Sequence, residues 1–153
     1  MAVEALAEHG PMLLAVARMV TGDNDEAEDL VQSTFELALK HGGSLRDARA
    51  LRSWLLRIET REAFRVGRRL RRLTSLDGHV QELASPGLDV VEHVQMRDAL
   101  RSLPRRTRAA IVLHYLASLS VPETAATMGV SENTVKSQLK LGLSRLREVL
   151  RDG

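Results

Sequence analysis

Residues 119–140 read LSVPETAATMGVSENTVKSQLK, and this stretch decides the fold. Ser120 and Glu123 have the spacing of a capping box, in which a hydroxyl and a carboxylate satisfy each other's backbone N–H at a helix start. Ala125 and Ala126 are small enough for close helix approach. Met128-Gly129 supplies a tight turn, and Ser131 caps a second helix. The pattern is a helix-turn-helix, with an αα corner inside a larger bundle as the plainer reading. Its second helix presents Asn133, Thr134, Lys136, Ser137 and Lys140, with Ser131 at its cap, near the N-terminal end, where such helices meet base edges and phosphates. Val135, Leu139 and Leu146 face inward.

Working upstream, helical spacing continues and strand patterning does not. Leu13, Leu14, Ala17 and Val20 form the apolar face of a stretch over 3–20, interrupted at Gly10-Pro11 and stopped at Thr21-Gly22. The acidic run Asp23–Asp29 suits a helix N-terminus. It leads into Leu30, Val31, Thr34, Phe35 and Ala38, which end at His41-Gly42-Gly43. A third helix is expected over about 47–72, from Leu51, Trp54, Leu55 and Ile58 into an arginine-rich end. Residues 73–90, LTSLDGHVQELASPGLDV, lose the period and read as a flexible linker able to span up to about 60 Å when extended. Beyond it, Met96, Ala99, Leu100 and Leu103 resume helical spacing. Pro104 then starts a helix through Ile111, Val112, Tyr115 and Leu116. The expected fold class is all-α, two small helical domains over 1–72 and 91–153 joined by the linker 73–90.

Charge divides along this plan. Residues 1–60 carry ten acids and six bases, 61–72 six arginines and one acid, 73–99 five acids and one base, and 100–153 nine bases and four acids. Arg61, Arg65, Arg68, Arg69, Arg71 and Arg72 form a cationic ridge that suits phosphate, or else a solvated helix end. The acids Asp23, Asp25, Glu26, Glu28 and Asp29 do not form a calcium loop, because Ala27 stands where a ligand is needed and Glu28 where a glycine is. Five scattered histidines and no cysteine leave no metal spacing, disulfide framework or thiol nucleophile. The chain has no phosphate loop or triad pattern, so no metal, cofactor or enzymatic reaction is expected. No apolar run is long enough to span a bilayer, and the N-terminus carries acid where a secretory signal carries base, so a soluble, cytoplasmic protein is expected.

Glu28-Asp29-Leu30-Val31-Gln32-Ser33-Thr34-Phe35, Trp54-Leu55-Leu56-Arg57-Ile58, Leu103-Pro104 and Thr134-Val135-Lys136-Ser137, in this order and spacing, resemble the extracytoplasmic-function sigma factors of bacterial RNA polymerase. The resemblance covers nearly the whole chain. It implies a sigma domain 2 and a sigma domain 4 with the helix-turn-helix, which confer promoter recognition and initiation on core polymerase without a reaction of their own. By the same resemblance, Asp29, Leu30, Gln32 and Phe35 dock on the clamp coiled coil of the largest polymerase subunit, although Leu30 and Phe35 have an equal claim to the bundle core. Arg61, Arg65, Arg68, Arg69 and Arg72 fall in the minus-ten reader. Ser131, Asn133, Thr134, Lys136, Ser137 and Lys140 fall in the minus-thirty-five reader. Promoter DNA and an anti-sigma protein are the other implied partners. The chain departs from the family in two places: Arg61 and Arg65 stand where Asn and Asp are usual, and Gln138, Leu141 and Leu143 where Arg is usual. The second departure implies weaker upstream binding, or a protein partner on an exposed apolar strip. A sigma-like decoy, which would bind an anti-sigma protein without directing initiation, is the alternative.

Overall fold

The structure, a computed structural model, describes residues 3–42, 47–77 and 91–152. Helices α1 (Val3–Ala7) and α2 (Gly10–Thr21) divide at the expected Gly10-Pro11 break. Proline is tolerated there because the N–H it lacks would be unsatisfied in a first turn. Gly22 ends α2 at φ 71, and its N–H donates to the Arg18 carbonyl at 2.9 Å. This left-handed turn is one that a residue without Cβ adopts at no steric cost. Helix α3 (Asn24–His41) starts where Asp23 accepts from the Glu26 N–H at 2.9 Å, with Asp25 and Glu26 in its first turn. Helix α4 runs Leu51–Asp77 after a 3-10 turn at Ala48–Ala50. It therefore continues through residues 73–77, the first part of the expected linker, and residues 78–90 lie outside the described residues.

In the C-terminal half, α5 (Val91–Arg101) and α6 (Arg105–Ile111) flank Pro104. The helix expected to run on to Leu116 instead widens into a π turn over Val112–Leu116. There the Ala117 N–H reaches the Val112 carbonyl at 3.0 Å, and Ser118 takes a positive φ of 62. The His114 ring nitrogen and the Leu119 carbonyl, 2.7 Å apart, hold the exit of this turn. Helices α7 (Val121–Met128) and α8 (Glu132–Asp152) complete the chain. The described residues contain no strand.

One apolar cluster runs through both halves: Leu13, Ala17 and Val20 of α2, Leu55, Leu56 and Ala63 of α4, Ala109 to Leu113, and Val135 and Leu139 of α8. Each fully buried leucine contributes about 1.5–3 kcal/mol. Buried Thr34 donates back to the Leu30 carbonyl at 2.7 Å, so its hydroxyl carries no unmet hydrogen bond into the core. The halves are thus packed face to face, with α2 and α4 against α6 and α4 against α7. This differs from the separated pair of surfaces that the linker's composition suggested.

Candidate nucleic-acid interface

The helix-turn-helix forms as its residues dictate. The Ser120 hydroxyl accepts from the Glu123 N–H at 3.1 Å, and Glu123 accepts from the Ser120 N–H at 2.8 Å. The Ser120 N–H and hydroxyl hold the Glu123 carboxyl below the usual carboxylate range. Gly129, at φ 73, makes the turn. The Ser131 hydroxyl then accepts from the Thr134 N–H at 3.1 Å and lies 2.9 Å from the Thr134 hydroxyl. Ser131 and Thr134 therefore build the helix start, while Asn133, Lys136, Ser137 and Lys140 stand exposed along the first turns of α8. Behind them Val135 and Leu139 are buried, which fixes the face presented outward.

The second set lies on α4. Arg61, Arg65, Arg68, Arg69, Arg71 and Arg72 are all exposed. Arg65 pairs with Glu62 one turn earlier, which spends part of its charge within the helix. Arg61 and Arg65 also line an open cleft of about 490 Å³ with Leu37, His41, Ile58 and Glu62. Aliphatic walls beside guanidinium groups suit the face of an unstacked base.

The third set, on α3, is divided by burial. Asp29 and Gln32 are exposed, and Gln32 donates to Glu36 at 3.3 Å. Leu30 is buried at 4% exposure, which places it in the core rather than on a docking surface. Phe35 is half-buried against that core, its ring 3.8 Å from where a Cβ on Gly10 would stand. The expected apolar strip on α8 shrinks to one residue: Leu141 is exposed, whereas Leu143 packs on the core and the Gln138 side-chain oxygen is buried.

Periodicity gave no hint of the arginines that bridge the halves. Arg101 donates through Nε and Nη2 to the Gly22 carbonyl at 2.9 and 2.5 Å. Arg105 grips both carboxylate oxygens of Glu26 at 2.6 and 3.0 Å and also donates to the Ala63 carbonyl at 3.0 Å. Arg108 donates to the Val20 carbonyl at 2.6 Å. From the other side, Arg52 donates to the Ala117 carbonyl at 2.7 Å and Arg61 to the Ala126 carbonyl at 3.2 Å. The Arg106 guanidinium lies 4.6 Å from the centroid of the Phe64 ring. The one available clue was arginine at inward-facing positions among alanines, as at Arg108-Ala109-Ala110. Glu59 on α4 was missed as well. It is 1% exposed, neither carboxylate oxygen has a hydrogen-bond partner among the described residues, and burial pushes its pKa up to about 9.

Among the described residues no group of three or more His, Cys, Asp or Glu gathers as a metal site would require, and no helix is long and apolar enough to cross a membrane. Comparison with known proteins matches residues 5–73 to the family described as Sigma-70 region 2 and residues 93–146 to Sigma-70, region 4. The ECF RNA polymerase sigma factor SigL of Mycobacterium tuberculosis is 31% identical over 153 residues, covering 95% of this chain and 86% of that protein. ECF RNA polymerase sigma factor EcfG of Rhodopseudomonas palustris is 34% identical over 145 residues, covering 92% and 80%. Among solved structures, the sigma factor RpoE in complex with the anti-sigma factor NepR, from Bartonella quintana, superposes with a TM-score of 0.84 at 28% identity, covering 97% of this chain and 95% of that one. CnrH in complex with the cytosolic domain of CnrY gives 0.69 at 26% identity, covering 97% and 86%.

Proposed function

The chain belongs to the sigma-70 family, among its extracytoplasmic-function members, and from that premise we propose how its surfaces divide the work. As a sigma factor it confers promoter recognition and transcription initiation on bacterial core RNA polymerase. The exposed first turns of α8 read the minus-thirty-five element: Lys136 and Lys140 hold phosphates, and Asn133 and Ser137 meet base edges. Ser131 and Thr134 set the start of that helix and offer their remaining lone pairs and hydroxyl protons to the backbone. On α4, Arg65, Arg68, Arg69 and Arg72 neutralise phosphates of the opening minus-ten region, and Arg61 with Arg65 borders the cleft that receives an unstacked base. Asp29, Gln32 and the outer edge of Phe35 dock on the basic clamp coiled coil of the largest polymerase subunit. Residues 1–72 and 91–153 act as the two functional units, connected by the segment between them.

The observation that carries this reading is that the outward face of α8 holds Asn133, Lys136, Ser137 and Lys140 over a buried Val135 and Leu139, while the same chain carries the arginine-lined cleft of α4. The bond-making chemistry belongs to the polymerase, so the chain itself catalyses nothing and acts in the cytoplasm where polymerase and promoters meet. An anti-sigma protein is the partner that would hold it inactive. The decoy alternative leaned on Arg61 and Arg65 as well as on Gln138, Leu141 and Leu143; of the last three, Leu143 packs on the core and the Gln138 side-chain oxygen is buried, and the decoy is not the better supported reading. Run-off transcription with purified core polymerase and genomic promoter fragments tests the assignment. Defined transcripts that require this chain are expected, and initiation at no promoter would refute it.

A further inference from the structure

Helix α4 outruns the core to which it belongs. Ala63, Phe64 and Gly67 are its last buried residues among those described, and from Arg68 to Leu73 every residue is exposed. Arg61, Arg65, Arg68, Arg69 and Arg72 recur at the i, i+4, i+7, i+8 and i+11 positions of one helix face. Glu62 is the only acid among residues 61–73. Arginines one turn apart repel each other. The ridge therefore gathers more like charge than a helix favours, and a polyanion laid along it relieves the repulsion.

Beside the ridge runs a stripe that charge does not account for. Val66 is half-buried, Leu70 is 41% exposed and Leu73 is 49% exposed. Their i, i+4, i+7 spacing places them on one face, about a third of a turn around the helix from the ridge. A single exposed leucine needs no explanation. Two on one face, within an arginine-rich end and beyond the last buried residue, do need one, because a ridge that only held phosphate would be served as well by alanine or glutamine between its arginines. Apolar side chains beside phosphate-binding cations suit a place where bases part: the cations hold the backbone, and the apolar group takes the position of a stacked neighbour. At 1.5 Å per residue, Leu70 and Leu73 stand about 8 and 12 Å along the helix axis from Arg65, or about two to four base steps. That interval separates the stripe from the cleft that Arg65 borders.

We propose that Leu70 and Leu73 form an apolar wedge that stacks on the last paired base of the opening minus-ten region while the arginine ridge holds the phosphates alongside. This rests on the functional reading above and adds residues that promote strand separation to those that hold the DNA. The occupant is a nucleic acid and not a membrane surface. Leu55, Leu56, Ala63 and Phe64 of the same helix are already buried within the protein, so α4 has only two leucines and a half-buried valine to offer a lipid interface.

Holoenzyme assembled with the full chain tests this on a promoter fragment that the wild type transcribes, labelled with 2-aminopurine in its minus-ten element so that fluorescence rises as the base unstacks. Leu70→Ala combined with Leu73→Ala keeps the helix, since both sites are exposed and alanine favours it, but removes the stacking surface. Opening of the duplex fragment should slow about tenfold or more, equivalent to about 1.4 kcal/mol in the barrier. Affinity for the same fragment with its minus-ten region already parted by mismatches should stay within about twofold, and its salt slope should not change, because no phosphate contact is lost. Leu70→Met combined with Leu73→Met retains the apolar bulk and should open the duplex at the wild-type rate. Wild-type opening by the double alanine variant, or an equal loss on duplex and pre-parted fragments, would overturn the wedge and leave the sigma assignment standing. So would binding of the free chain to phosphatidylglycerol vesicles that the alanine changes abolish while opening is untouched, a result that gives the stripe to a membrane. If wild-type holoenzyme opens no promoter fragment, the functional reading falls, and the wedge with it.

Discussion

Glu59→Gln should make the protein more stable, by an amount set by pH. The Glu59 carboxyl is 1% exposed and unpartnered, and burial pushes its pKa from 4.5 up to about 9. The unfolded chain releases this proton above about pH 4.5, while the folded chain keeps it until about pH 9. Between those values the folded state binds more protons, so stability falls as pH rises, by about 1.4 kcal/mol per pH unit for this one group. At pH 7 the penalty is about 3 kcal/mol, and at pH 5 it is below about 1 kcal/mol. Glutamine matches the neutral acid in shape and does not titrate, so it removes the penalty and its pH dependence together. Urea unfolding followed by circular dichroism, on wild type and variant from pH 5 to pH 8, isolates the effect as a difference that cancels the other carboxylates. The curves should converge toward pH 4.5 and diverge above it. A constant difference across this range, or a variant less stable than wild type at pH 7, would show that Glu59 is ionised and satisfied in the folded chain.

Further outcomes follow from the same geometry. Reversing the charge at Asp29 together with Gln32→Ala should weaken binding to core polymerase while leaving helix content unchanged, because both side chains are exposed; wild-type affinity would remove α3 from the docking surface. Replacing Lys136 and Lys140 by alanine should flatten the dependence of log promoter affinity on log salt by about two units, roughly 0.9 for each phosphate left without its lysine. Asn133→Ala or Ser137→Ala should instead change which upstream sequence is preferred, as seen by selection from a randomised element. Ser120→Ala removes the capping box of α7 and should cost about 1 kcal/mol, read as a lower melting temperature.

What the sequence disclosed depended on the range of the cause. Ser120, Glu123, Gly129 and Ser131 act within a few residues, so the helix-turn-helix could be read with its caps and its exposed face. Pro11, Gly22 and Asp23 marked boundaries for the same reason. The π turn had no such mark, because Val112 to Leu116 are apolar residues that an α-helix accepts equally well. Closure of the halves was out of reach for a different reason. Arg105 and Glu26 are separated by 79 residues, and the Pro86-Gly87 segment between them reads as a spacer whichever way the halves lie. The same packing decided Leu30, which helical spacing placed equally well on a docking surface or in the core. Glu59 went unremarked because a glutamate in a helical run looks like an ordinary solvated acid until its neighbours are known.

The π turn at Val112–Leu116 also preserves an angle. An α-helix advances about 100° per residue, so one extra residue would ordinarily turn everything after it by that much. The wider π turn takes the extra residue up locally, and the Ala117 carbonyl keeps its place opposite Arg52. Excising one residue there should regularise the helix and leave the bearing of α7 and α8 nearly unchanged, whereas a further inserted residue, with no turn to absorb it, should swing the helix-turn-helix about 100° around the α6 axis. The five residues thus act as a slack loop in the rigging of the DNA-reading half: they keep the heading of a surface to which they contribute no atom.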